Sequence, residues 1–387
     1  MKKHLKQASY LLLLHCTLFF AFIGISAMNS ASAQTYHEDD KEGLRIFLRQ
    51  PSAETGKINA EQLDLQISDT LNWRASEAWV EKIVNLTWND ESPKRLIGNH
   101  TNFRGWRWRK LAGTLDASKW SKLTYLYCPY NQLTALNVSE NTELTLLDCF
   151  DNQLTALDVR ENTKLTYLNC SGNQLTALDV RENTALTELY CSSNQLTALD
   201  LRENTILTAL ECCDNQLTAL DVRENTKLTE LDCNDNQLTA LDVSENTELT
   251  ELDCNDNQLT ALDVRENTEL DILRCFNNCF PLSELLAVSE RLSIPSNKSL
   301  GTQNLLPQKV NTGSELFSEQ ALFKGIYTNY AINKDGAIPA SESDYTITAG
   351  KITFNNSGSY TVTMTNSAIV SDPDYPAKVI AKIEVVE

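Results

Sequence analysis

Leu228 to Glu248 reads LTELDCNDNQLTALDVSENTE, and Leu249 to Glu269 reads LTELDCNDNQLTALDVRENTE, with one residue changed. A chain that repeats itself without a gap stacks one structural unit on its own copy, because a short unit with one apolar side buries that side only against a neighbour. The same frame extends outward in both directions. Cysteine recurs every 21 residues, at Cys128, Cys149, Cys170, Cys191, Cys212, Cys233, Cys254 and Cys275. Three residues after each stands an asparagine: Asn131, Asn152, Asn173, Asn194, Asn215, Asn236, Asn257 and Asn278. The unit is L-T-x-L-x-C-x-x-N-Q-L-T-A-L-D-V-x-E-N-T-x.

Alternation in L-x-L-x-C predicts a short strand, with Leu147 and Cys149 inward and Leu146 and Asp148 outward. Successive coils about 4.8 Å apart then build a parallel sheet. The turn after the strand has backbone groups to satisfy, and an asparagine amide can both donate and accept there. Stacked, Asn131 to Asn278 form a ladder serving each turn and its neighbour. The second half, L-T-A-L-D-V-x-E-N, echoes the first and predicts a second asparagine column at Asn141, Asn162 and Asn183 onward. The coil stack is a solenoid and needs a cap at each end.

The cysteine column reads as free buried thiols. In-register neighbours on parallel strands suit a disulfide poorly, since the bond needs Cβ atoms about 3.5–4.5 Å apart and a torsion near 90°. Cysteine inside a protein behaves as a compact apolar residue. The column is spread along a rod, so it gathers no metal. Cys213 and Cys279 fall outside it; Cys213 is expected to face outward and Cys279 to sit in the closing cap.

The flanks differ in kind. Residues 1–33 combine MKKHLK, the apolar run YLLLLHCTLFFAFIGI and Ala31-Ser32-Ala33, which together predict a cleaved signal peptide. All six tryptophans precede Cys128, and 41–49 and 75–86 have helical apolar spacing, so 34–114 reads as a Trp-rich helical N-terminal cap. Residues 115–293 form the solenoid, closed by a helix in PLSELLAVSERL. A polar linker is expected over 294–308, and strand-like alternation over 309–387 predicts a β module. The 387 residues carry a formal net charge of −19. Cleavage leaves 30 basic against 52 acidic side chains, a surface that repels nucleic acid and anionic lipid. No nucleophile–base pair, phosphate loop or histidine cluster is visible, so neither an enzyme nor a cofactor is expected, and no membrane span after signal cleavage.

The repeats over about 115–293 resemble the 21-residue leucine-rich repeats of bacterial surface proteins, most of all the internalin J type, in which cysteine replaces a strand leucine and forms a ladder. LAGTLDASKWSKLTYL and the Trp-rich segment before it look like repeat proteins of the Bacteroides group. The resemblance implies a surface or secreted binding protein, often an adhesin. It departs at the end: the chain closes on AKIEVVE without a sorting motif, charged tail or apolar anchor, which counts against the expectation of wall attachment of the internalin kind. The β module looks immunoglobulin-like but lacks the cysteine pair of that fold.

A ligand is expected on the outward sheet positions. Early copies place Tyr125, Tyr127, Tyr130, Phe150, Tyr167 and Tyr190 there; later copies place Glu211, Glu230, Asp232, Asp235, Glu251, Asp253 and Asp256. Tyrosine supplies contact area at low entropic cost, although tyrosine is also common on strands and acids on solvated faces. A further column, Asp158 to Asp263 headed by Asn137, could suggest calcium. Arginine two residues on, as at Arg160 and Arg181, gives the aspartates local partners instead, so no metal is expected. The sequence therefore predicts an exported leucine-rich repeat binding protein, secreted or at the cell surface, for a protein or glycan outside the cytoplasm; the alternative is a periplasmic or envelope scaffold for the cell's own components.

Overall fold

The computed structural model describes residue 50, the short strands within 88–97, and 112–387 apart from 119, 121–122, 292–296 and 337. The expected signal peptide and the expected helices at 41–49 and 75–86 lie outside the described residues. What is described of the expected helical cap is strand. Trp88–Asn89 pairs with Ser92–Pro93, and Arg95–Ile97 lies parallel to Tyr125–Tyr127 with Leu96 in register with Leu126.

A parallel sheet of ten strands forms one side of the solenoid. Eight of them are the L-x-L segments, Tyr125–Tyr127, Leu146–Asp148 and their equivalents through Ile272–Arg274, each paired in register with the copy before and after. Arg95–Ile97 extends the sheet at one end and Lys298–Ser299 at the other. One coil shows what drives the stacking: Leu186, Leu189, Cys191, Leu196, Leu199 and Leu201 are all buried. Removing such a leucine to alanine typically costs about 2–5 kcal/mol, so one coil without neighbours could not hold its shape. In the first coil the second segment is also a strand, Gln132–Asn137 beside Ala112–Asp116. In later coils it is irregular, tied coil to coil by bonds such as Gln174 N–H to Leu154 O, 2.9 Å.

The stretch expected as a linker over 294–308 is built into both halves of the molecule. Lys298–Ser299 is the last solenoid strand, and Thr302–Asn304 pairs with Lys378–Val386 of the β module. The chain crosses at Gly301, whose φ of +52° and Cβ position 2.4 Å from the Phe276 Cβ leave room only for glycine. Phe276 stacks on Tyr375 with ring centroids 5.0 Å apart. Gln303 is wholly buried and acts as the next ladder rung: its Oε1 accepts from Asn278 N, 3.1 Å, and Phe280 N, 3.4 Å, while its Nε2 donates to Cys275 O, 3.0 Å, and Leu300 O, 2.6 Å. Serine, asparagine and glutamine read as a flexible segment by composition because the same side chains serve equally as buried hydrogen-bonding caps. The helix Leu282–Ser289 buries Leu282, Leu285 and Val288.

In the β module, Thr302–Asn304 and Gln308–Asn311 both run parallel to Lys378–Val386. Gly358–Thr365, Asn329–Lys334 and Ile338–Pro339 follow antiparallel. A second sheet contains Glu315–Leu316, Lys351–Phe354 and Tyr345–Thr348. Strict alternation in Lys378–Val386 sends Val379, Ala381, Ile383 and Val385 into the core. Among the described residues no helix is long and apolar enough to cross a membrane.

Candidate ligand-binding face

The solenoid's geometry comes from three ladders. From Asn152 onward each first-column asparagine works in two directions: Asn173 Nδ2 donates to Cys170 O, 3.0 Å, in its own turn and to Cys149 O, 3.1 Å, in the preceding coil, while its Oδ1 accepts from Leu154 N, 2.9 Å. The second column, Asn141 to Asn267, is wholly buried. Asn183 Nδ2 donates to Val159 O and Asn162 O, both 2.9 Å, but these Oδ1 atoms have no hydrogen-bond partner among the described residues. A third ladder was not anticipated. Thr145, Thr166, Thr187, Thr208, Thr229 and Thr250 each donate Oγ1 to the carbonyl of the threonine one coil earlier, as in Thr187 to Thr166 at 2.9 Å. The recurrence of T in L-T-x-L, from Thr124 through Thr250 with Asp271 in the last copy, was the available signal.

Between each cysteine and its ladder asparagine the chain passes through left-handed conformation, with φ of 56° at Tyr130, 51° at Asp151 and 52° at Asp256. Asp, Asn, Ser and Gly fill this site in the other coils, as residues that tolerate it do. Tyr130 is the exception, and its ring packs edge-on against Phe150 at 5.0 Å.

All ten described cysteines are free, and the eight column members are buried. Burial pushes their thiols up, Cys170 to about 12, which leaves no thiolate for chemistry at neutral pH. Cys213, expected to face outward, is only half-buried, and its thiol is also pushed well up by burial. It follows Phe150, Ser171 and Ser192 along the coils, at the margin of the sheet. Cys279 is half-buried too.

The outward sheet positions fall into two columns. One runs Tyr125, Leu146, Tyr167, Glu188, Ala209, Glu230, Glu251, Ile272; the other runs Tyr127, Asp148, Asn169, Tyr190, Glu211, Asp232, Asp253, Arg274. Tyr125, Tyr127 and Tyr167 are half-buried on this face. Tyr190, expected to be solvent-facing, is only 7% exposed: its hydroxyl donates to Glu188 Oε2 at 2.9 Å and its ring lies 5.4 Å from that of Tyr167. Asp148 is likewise covered, a short side chain in register with the much larger Tyr127. Burial raises its carboxyl to about 7.

Past Tyr190 the face is acidic. Burial and then the neighbouring Glu230, Glu251 and Glu188 raise Glu211 to about 7. Asp232 and Asp253 are also raised, by burial first and then by adjacent carboxylates. Arg274 closes the run: its Nη1 lies 2.5 Å from Glu251 Oε1 and 3.6 Å from Asp253 Oδ2. Asp235 and Asp256 lie on the left-handed turns beside the sheet. Sequence reading named most of these acids but missed Glu188, Arg274 and the notch at Ala209, whose importance comes from register alone.

The aspartate column lies elsewhere. Asp158 accepts from Arg160 Nε at 2.9 Å and Nη2 at 2.7 Å, a pattern repeated at Asp179, Asp200, Asp221 and Asp263. At Asp242 the hydroxyl of Ser244 takes the arginine's place at 2.7 Å. No group of three or more metal-ligating side chains occurs among the described residues.

Residues 163–203 match the family model for leucine-rich repeats, in two copies. No curated protein is a significant match. Among solved structures, the chain is similar to the functional domain of InlJ from Listeria monocytogenes, described as including a cysteine ladder, at 26% identity over 76% of this chain and 86% of that one, with a TM-score of 0.33. It is similar to InlP of the same organism at 15% identity, over 92% and 100% of the two chains, with a TM-score of 0.49. For a leucine-rich repeat protein of Leptospira interrogans the identity is 23%, over 49% of this chain and 50% of that one, with a TM-score of 0.40. The family match covers residues 163–203, and the same 21-residue frame continues unbroken on either side of it, so the stacked coils are leucine-rich repeats.

Proposed function

We propose that the protein is an exported binding protein, secreted or held at the cell surface, and that the outward face of the parallel sheet takes a protein ligand in the manner of an adhesin. The observation that carries this reading is the asymmetry of that face. Tyr125, Tyr127 and Tyr167 lie half-buried at one end and the Glu188–Asp253 acids at the other, whereas every inward column is chemically uniform. Aromatic side chains already held by their neighbours offer contact area with little entropy left to lose. Glycan stacking on the same rings is the related ligand class.

The β module is read as immunoglobulin-like. Support comes from its strand order, with two early segments parallel to the last strand in one sheet and three antiparallel strands in the other. Tyr360 adds to this: it stands near the start of Gly358–Thr365 and donates its hydroxyl to Asn356 O at 2.9 Å, the corner bond of such sandwiches. Its role in this reading is to hold the solenoid's end.

The test is a binding screen of residues 34–387 against extracellular matrix proteins and glycans at physiological salt, beside a variant with Tyr125, Tyr127 and Tyr167 changed to Ser. A protein hit lost in the variant supports the reading. Hits indifferent to the change, or none at all, reject it.

A further inference from the structure

The acidic half of the sheet contains one position unlike its neighbours. Ala209 is in register with Glu188 on one side and Glu230 on the other, and Glu211 stands two residues on along the same strand. Neighbouring strands lie about 4.8 Å apart and alternate residues share a face, so three carboxyl side chains surround the shortest side chain of the face. Glu211 is the least compensated of them. Its neighbours enclose it, its carboxylate has no hydrogen bond or ion pair among the described residues, and the charges closest to it are all acidic. Three coils on, the same two columns already hold a basic group: Arg274 lies across Glu251 and Asp253 of the coil before it. The protein therefore shows within itself how a guanidinium sits on this sheet.

We propose that the notch over Ala209 is the seat of an arginine side chain from a protein partner, with its guanidinium among Glu188, Glu211 and Glu230. This deepens the reading of the sheet as the ligand face and rests on it. Charge complementarity chooses the occupant. An acidic or neutral side chain would leave Glu211 desolvated and repelled, whereas a planar guanidinium with several donors can satisfy more than one carboxylate. The tyrosines at the other end of the face then contribute apolar contact, while this seat selects for a basic partner.

The probe is a fluorescent hexa-arginine peptide, titrated by anisotropy at about 0.15 M salt, where surface attraction is screened beyond roughly 8 Å. Four proteins are compared: wild type, Glu211→Gln, which keeps the shape, Ala209→Trp, which fills the notch, and Glu161→Gln/Glu182→Gln, which removes acids from a different column. The expected result is binding weakened about tenfold or more by Glu211→Gln and by Ala209→Trp, with the Glu161/Glu182 pair within about twofold of wild type. Circular dichroism confirms the fold of each variant. Equal weakening in all three variants, no weakening in any, or no binding by wild type overturns the proposal. The Tyr125/Tyr127/Tyr167 variant separates the two readings: loss of a screened partner with hexa-arginine binding retained is failure of neither. Hexa-arginine binding that ignores Glu211, beside a partner lost with the tyrosines, rejects the seat and leaves the ligand face.

Discussion

Replacing Gln303 by leucine removes the last rung of the asparagine ladder without opening a large cavity. Four hydrogen bonds disappear. The Cys275 carbonyl keeps the bond from Asn278 Nδ2 at 3.1 Å, so its loss is partial. The N–H groups of Asn278 and Phe280 and the carbonyl of Leu300 lose the partner that Gln303 supplied, inside a wholly buried environment. At roughly 1–3 kcal/mol for each unsatisfied buried group, and less for the long Phe280 contact, the expected cost is about 3–5 kcal/mol. In a stacked array each coil depends on its neighbours, so this cost appears as opening of the solenoid's end before the middle melts. Native-state hydrogen exchange reads it directly. The amides of Asn278 and Phe280 should lose about a hundred- to several thousandfold of protection at 1.36 kcal/mol per factor of ten, while those of Cys191 and Cys212 change little. Unchanged protection at Asn278, or an equal loss along the whole rod, would refute the idea that the β module caps the ladder through this side chain.

Other outcomes follow from the same geometry. Glu211 has its carboxyl raised to about 7 in the fold against 4.5 for an ordinary glutamate, so the folded state binds the proton more tightly. Stability should therefore rise as pH falls through 7 and level off near 4.5, and Glu211→Gln should raise Tm at pH 8 and flatten the difference between pH 8 and pH 5.5. Asn194→Ala removes Nδ2 contacts to Cys170 O, Cys191 O and Ser192 O and an Oδ1 bond from Leu175 N, whereas Asn204→Ala removes only two Nδ2 bonds. Urea unfolding should show the former less stable by about 1–2 kcal/mol, the net worth of the one or two further hydrogen bonds it loses. Iodoacetamide at pH 8 should leave the eight column cysteines of native protein unlabelled and modify them all in guanidinium, as mass spectrometry of peptides would report.

The repeat was legible because its period, inward leucines and first asparagine column are local facts of spacing. Chemistry set by register was not. Asp148 and Tyr190 occupy outward positions, yet their neighbours one coil away cover them. The Arg274 ion pair with Glu251 joins residues 23 apart in sequence, one coil plus a step sideways, which no motif displays. Gln303 belonged to a segment whose composition resembles that of a flexible connection, and only the unmet hydrogen bonds of Asn278 and Cys275 give it a task. On the site, sequence located the aromatic and acidic halves of the face, while Ala209 went unremarked because its meaning is the height of the residues beside it.

The most direct test of the account is steric. Ala209→Trp places a large side chain on the sheet face, and Ala198→Trp places the same side chain on the exposed irregular side. Both proteins should fold as wild type does, and both would be titrated with a partner captured in the screen. The account predicts that Ala209→Trp loses that partner and Ala198→Trp keeps it. Retention by Ala209→Trp, or loss in Ala198→Trp alone, would place the ligand elsewhere on the molecule and contradict the sheet face as its site.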